Sequence, residues 1–153
     1  AKAIERGQRR GDEKAAAKAE QALNEEELKR LHSRYRLELS DHIEKCLKNL
    51  PNHFPGFEFH PVVDERGWGA SVSRDDVSFR GRSRDNAFSR LEVVVRPHAE
   101  YHVLDLQAKG TIRNKETFHR KHFQRLTDVD VTSSKELVDL WILEFAELFA
   151  ASE

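Results

Sequence analysis

The sequence has a single cysteine, Cys46, so no internal disulfide can brace the fold, and a reducing, cytoplasmic setting is expected. No apolar run approaches the length needed to cross a bilayer, and no stretch has the pattern of a signal peptide. The formal net charge is only −1 although charged residues make up 35% of the chain, which removes the overall bias expected of a protein that coats nucleic acid or a membrane surface. Also missing are an internal repeat, a low-complexity linker and a nucleophile elbow; Lys109-Gly110-Thr111 has no helix behind it and is not a phosphate loop. What remains is a chain of 153 residues, enough for one domain with a proper core. It opens AKAIERGQRR without methionine, as a piece of a longer polypeptide would.

The strongest local signal lies between Ser89 and Lys109. Apolar residues alternate on both sides of Pro97, a period of two that argues for paired strands at the centre of a sheet. Leu91, Val93 and Val95 share one face, and Leu104, Leu106 and Ala108 form the matching row. A four-residue loop from Pro97 to Glu100 would set Leu91 opposite Leu106 and Val93 opposite Leu104. On that register the second face carries Arg90, Glu92, Asp105, Gln107 and Lys109, a candidate ligand-binding face, with Glu92 directly across from Asp105. Two carboxylates so placed repel, so cations or a ligand must lie beside them. If burial pushed their pKa values apart they would divide into acid and base, the reading of a small hydrolase. A solvated face on which arginine and lysine interleave with the acids is the simpler reading, and no residue is assigned as catalytic.

Around this hairpin the chain falls into two segments. Residues 1–50 have the Ala, Glu, Lys, Arg and Leu content of a long helix. Gly7 and Gly11 should fray its start, giving regular helix from about Asp12, and Asn24 with Glu27 could cap a separate helix. Leu28, Leu31, Tyr35, Leu39, His42, Ile43, Cys46, Leu47 and Leu50 form a stripe at spacings of three and four; the alternative, a strand over Tyr35, Leu37 and Leu39, is weaker. The polar beginning has too little to bury alone, so this segment reads as an oligomerisation arm or a linker. Pro51 to Gly56 should end the helix.

Residues 51–153 read as an α+β domain. Phe57 to Val63 is an edge strand, with Phe57, Phe59 and Val63 inward and Pro61 marking the edge. Trp68, Ala70 and Val72 alternate in a second strand, and both tryptophans, Trp68 and Trp141, are expected in the core. Arg74 to Ser89 is polar and arginine-rich, a short strand or loop between hairpins. Ser133 with Glu136 makes a capping box for an amphipathic C-terminal helix whose stripe, widened by Leu140 and Leu143, lies across the sheet. The fold class is therefore a long N-terminal helix, a four- to five-stranded, mostly antiparallel sheet, and a C-terminal helix packed on one sheet face.

The charge is unevenly laid out. Phe79 to Arg125 holds 11 Lys plus Arg against 5 Asp plus Glu, whereas Leu126 to Glu153 holds 7 acids and 1 base. Arg113, Lys115, Arg120, Lys121 and Arg125, interleaved with Phe118 and Phe123 and extended by Arg80, Arg82 and Arg84, are candidate anion- or nucleic-acid-binding residues. They serve equally well as guards of exposed strand edges, or as partners of the acidic C-terminal helix. Neither His98 with His102 nor His119 with His122 has a diagnostic ligand spacing, and Cys46 could join them only through tertiary packing, so no metal and no cofactor is expected. The favoured function is a non-enzymatic interaction domain that forms a homo-oligomer, without membrane contact; nucleic-acid or phosphorylated-ligand binding is the alternative.

Overall fold

The computed structural model describes residues 2–152, the side chains of residues 2 and 20–23 excepted. Residues 1 and 153, the outer ends of the two expected segments, lie outside the described residues. The element order is α1 (Lys2–His53), β1 (Glu58–Asp64), β2 (Gly67–Arg80), β3 (Ser83–Val95), β4 (Val103–Ile112), β5 (Lys115–Arg125), a 3-10 turn (Leu126–Asp128) and α2 (Val131–Ala151). The strands form one antiparallel meander in sequence order, β1-β2-β3-β4-β5, so the fold is α+β with a helix at each end. No helix of the described residues is long and apolar enough to cross a membrane.

The helix α1 is continuous, which corrects the expected late start and the separate cap at Asn24. Each glycine costs about 1 kcal/mol relative to alanine, too little to break a helix built from Ala, Glu, Lys and Arg. Pro51 lies inside the last turn rather than beyond it. The stripe that begins at Leu28 packs Leu39, Ile43, Leu47 and Leu50 into the same core as the sheet, and the alternative strand at 35–39 does not form. Ahead of Leu28, the described side chains of residues 3–19 and 24–27 are all exposed. At about 1.5 Å per residue, the part of α1 ahead of Leu28 is roughly 40 Å long.

One sheet face receives both helices. Ala70 and Val72 of β2, Leu91, Val93 and Val95 of β3, and Leu104, Leu106 and Ala108 of β4 meet the α1 stripe and the α2 residues Val138, Trp141, Phe145 and Phe149. Phe57, Phe118, Phe145 and Phe149 pack edge-on and stacked at this junction. Gly110 lets α2 approach the sheet closely: a Cβ there would stand 2.9 Å from both Phe118 and the Phe145 ring. Val62, not Val63, is the buried valine of β1, and it faces away from the helices. Trp68 is only half-buried, with the Arg36 guanidinium 4.3 Å above its ring, while Trp141 is core. The α2 cap is Asp130 rather than Ser133: its carboxylate accepts from the Thr132 N–H at 3.1 Å and from the Ser133 hydroxyl at 3.0 Å.

Two differences from the sequence expectation bear on function. Pairing between β3 and β4 sets Val95 opposite Leu106, Val93 opposite Ala108 and Glu92 opposite Lys109, because the connecting loop runs over residues 96–102 instead of four residues. The loop is held from outside the hairpin: the Arg96 side chain donates to the Arg66 carbonyl at 2.6 Å, and the Leu126 N–H donates to the His102 carbonyl at 3.0 Å. Since the slip is even, every side chain keeps its face. The segment 74–89 is not a loop. It continues β2 and β3 as a two-stranded ribbon, past Ser73 where β1 ends and past Arg90 where β4 ends, turning at Gly81 and Arg82. Asn114, in the β4–β5 turn, clamps the base of this ribbon through Phe88 and Asn86.

Candidate functional site

No helix of the described residues covers the second sheet face, yet Val62, Ser71, Glu92 and Val94 on it are buried. Glu92 is the informative one, because a carboxylate 6% exposed must be paired or neutralised. It accepts from Arg66 Nη1 at 2.7 Å and from Arg90 Nη2 at 3.1 Å. Arg66 comes from the β1–β2 turn, where Asp64 holds its other edge at 2.8 Å; Arg90 is two residues along β3, on the same face. Lys109 stands opposite Glu92 on β4, and His119 opposite Lys109 on β5. Among the described residues no carboxylate lies within ion-pair distance of the Lys109 ammonium.

These groups line an open cavity of about 520 Å³, with Arg66, Arg90, Glu92, Lys109, Thr111, Glu116 and His119 around it. A smaller hollow beside it adds Val94, Arg96 and Gln107. Four cations thus surround one buried acid. The acid fixes the direction of two guanidiniums without cancelling the rest, a polar arrangement suited to receiving an anion. Asp64 and Glu92 both hold the Arg66 guanidinium in its charged form, Asp64 by hydrogen bonding being the larger influence.

Of the expected ligand face, Arg90, Glu92 and Lys109 meet in the main cavity and Gln107 in the hollow beside it. Asp105 joins neither; it accepts from Gln107 at 3.3 Å and pairs with Phe123 across β5. The predicted opposition of Glu92 and Asp105 is replaced by Glu92 opposite Lys109. Four residues of strand, roughly 13 Å at about 3.3 Å each, separate Asp105 from Lys109, too far for the two acids to share a proton.

The expected basic strip is divided between the two faces. Lys121 and Arg125 lie with Gln107 and Val103 on the uncovered face. Arg120 turns to the helix side and donates twice to Glu144 of α2, at 3.0 and 2.8 Å, so one basic residue of β5 does neutralise the acidic helix, within a single chain. Arg113 donates to the Ser152 hydroxyl at 3.1 Å and lies over the Phe149 ring. Lys115 pairs with the buried Ile112 beside the turn and is exposed. Arg66 escaped the sequence reading, because it enters from a turn, which periodicity does not report. Alternation sets Arg96 on the side of Glu92, and His119 on the side of Lys121, without marking either as part of a site.

Two further clusters lie on the helix side. His98 and His102, expected to be kept apart by the turn, are brought together by the loop, Nε2 to Nδ1 at 3.1 Å. His32 of α1 sits edge-on to His98, ring centroids 5.3 Å apart, with its Nε2 buried and lacking a hydrogen-bond partner. Burial, then His98, lowers the His32 pKa; burial, then His102, lowers that of His98. Between α1 and α2, Cys46 donates to Asp139 at 3.3 Å, and burial followed by that carboxylate pushes the thiol up to about 12. In that form it is a poor nucleophile.

Two outcomes follow from these environments. Replacing Glu92 by Gln leaves two guanidiniums around a neutral amide, and the urea midpoint should fall by the equivalent of roughly 1–3 kcal/mol; a rise would mean that the carboxylate is merely repelled. Depressed histidine pKa values favour the neutral rings in the fold, so their contribution is present above about pH 6.5 and lost as the pH falls below it. Unfolding free energy should therefore drop between pH 7 and 5.5, and drop less in His32→Leu, which removes a ring facing Arg36, Arg96 and His98. Parallel pH profiles for the two proteins would contradict this.

No protein-family model, curated protein or solved structure matches the chain, and the reading of this face rests on its own geometry.

Proposed function

We propose that the chain is a non-enzymatic interaction module whose uncovered sheet face binds a single-stranded nucleic acid. The reading is carried by one observation: the fixed cations Arg66, Arg90 and Arg96 and the unpaired Lys109 share their face with exposed aromatic rings. Alternation along β5 sets Phe123 on the side of His119 and Lys121, and alternation along β3 sets Phe88 on the side of Arg90 and Glu92. On the ribbon the same side carries Val77 and Phe79, with Arg84 opposite Phe79. Aromatic faces on which bases stack, set among cations that follow a phosphate backbone, are what sequence-tolerant single-strand binding requires. A duplex offers no unstacked bases to such rings. The acids Asp75, Asp105 and Glu116 temper the field and point to modest affinity. A hydrolase built on Glu92 and Asp105 is set aside, because Glu92 is committed to two arginines and Asp105 lies elsewhere.

A second reading, self-association, has its own support in the exposed first half of α1. Helices in proteins draw most of their stability from packing one face, and a second copy of the arm is the economical partner for one that has none. The two readings are compatible, an oligomer presenting several single-strand surfaces.

Anisotropy of a labelled single-stranded oligonucleotide tests the first. Binding should weaken with salt at a log–log slope of roughly −2, about −0.7 for each of three neutralised phosphates, and Lys109→Glu together with Arg90→Glu should reduce affinity at least tenfold. Absence of binding at low ionic strength, or charge-reversed protein that binds as well as the parent, ends the proposal. Light scattering of the full chain at tens of micromolar tests the second, with a mass above 17.7 kDa expected and a monomer contradicting it.

A further inference from the structure

The two helices bring together three donor side chains that the nucleic-acid reading does not use. His42 and Cys46 stand four residues apart on α1, and so on one side of the helix. Asp139 meets them from α2. His42 Nε2 lies 2.7 Å from Asp139 Oδ1, Cys46 Sγ lies 3.3 Å from the same oxygen, and Sγ lies 3.5 Å from Nε2. The three ligand atoms therefore form a triangle, all within 4.8 Å of one another.

That triangle has a metal's dimensions. A tetrahedral zinc ion, bonded at about 2.0–2.1 Å to nitrogen, 2.3 Å to sulfur and 2.0–2.2 Å to oxygen, spaces its ligands roughly 3.3–3.6 Å apart. Two of the three separations already match. The third is a hydrogen bond, and it lengthens by roughly 0.6 Å if an ion takes the place of the bonding proton. The donor types agree with the size: imidazole and thiolate select zinc over calcium or magnesium, which take oxygen. Side-chain exposures of 24% for His42 and 53% for Asp139 leave the triangle open to an entering ion. Beside it runs an apolar groove of about 580 Å³ between the helices, into which Cys46 and Asp139 both face along with Leu50, Phe54 and Leu143.

We propose that His42, Cys46 and Asp139 form a three-ligand zinc site that ties α1 to α2, with the fourth coordination position open toward the interhelical groove. Ligation requires the thiolate, so zinc binding displaces the proton of Cys46 to solvent. The site joins residues 93 and 97 positions apart in sequence. Its occupancy therefore acts on the seam by which the long helix is docked. The sequence carried no sign of it: His42 and Cys46 lie on the apolar stripe of α1, and Asp139 on what reads as the polar side of α2.

Cobalt(II) serves as the probe, added to the full chain after treatment with a chelator. Because Cys46 is the sole cysteine, a thiolate-to-cobalt charge-transfer band can come from this site alone. The band should appear at one equivalent, vanish when zinc is added, and be absent from Cys46→Ser. Asp139→Asn should weaken cobalt binding by more than the 10–100-fold that loss of a merely supporting residue costs. Zinc should also raise the melting temperature of the parent and leave that of Cys46→Ser unchanged, a readout that stands even if one variant is poorly folded. No charge-transfer band, a band that survives in Cys46→Ser, or cobalt bound by histidines alone overturns the proposal.

Discussion

The structure depends on a sheet that is covered on one side only. The α1 stripe from Leu39 to Leu50 and the α2 aromatics Phe145 and Phe149 converge on the same rows of β2, β3 and β4, and Phe57 and Phe118 close the seam between them. Burial of that many aliphatic and aromatic side chains supplies the driving force for the fold. It draws α2 and the second half of α1 to one side, and no helix of the described residues covers the other. That second face is polar in a particular way: it buries one carboxylate and turns cations around it.

Glu92 organises that face much as the phenylalanines organise the other. An unpaired carboxylate at that depth would be prohibitive, so Arg66 and Arg90 are drawn to it, and Arg66 is steadied again by Asp64. The guanidiniums thus hold a fixed geometry, a preorganisation that would spare an anion on the proposed surface part of the ordering cost of binding. Lys109, directly across the ladder, adds charge that no acid among the described residues takes up. The ribbon beyond Asn114 extends this surface by roughly 20 Å, six residues of β2 at about 3.4 Å each. It ends in Arg80, Gly81 and Arg82.

Periodicity made much of the fold legible. Alternation around Pro97 marked the sheet centre and assigned the right faces, and spacings of three and four marked both helices. Register was not legible, because the loop 96–102 is held by distant groups, Arg66, Leu126 and His32, as well as by its own His98–His102 contact. An even slip then preserved every face while moving Asp105 away from Glu92, which removed the most suggestive pair and left the cavity residues Arg90, Glu92 and Lys109 in place. The ribbon reads from sequence only as a short strand or loop, because both of its sides are largely exposed and Val77 and Phe79 alone alternate. Alternation along 118–123 already divides the basic strip, with Arg120 on one side and Lys121 on the other; what it does not report is that Arg120 is taken up by Glu144 of α2.

The central claim is that the uncovered face is the working surface. A residue-resolved amide map, recorded by NMR as a single-stranded oligonucleotide is added to the labelled chain, tests it most directly. The largest shifts should fall at Arg90, Glu92, Val94, Gln107, Lys109, His119 and Lys121, with α2 undisturbed. Shifts concentrated on α1 and α2, or none at saturating oligonucleotide, would contradict it.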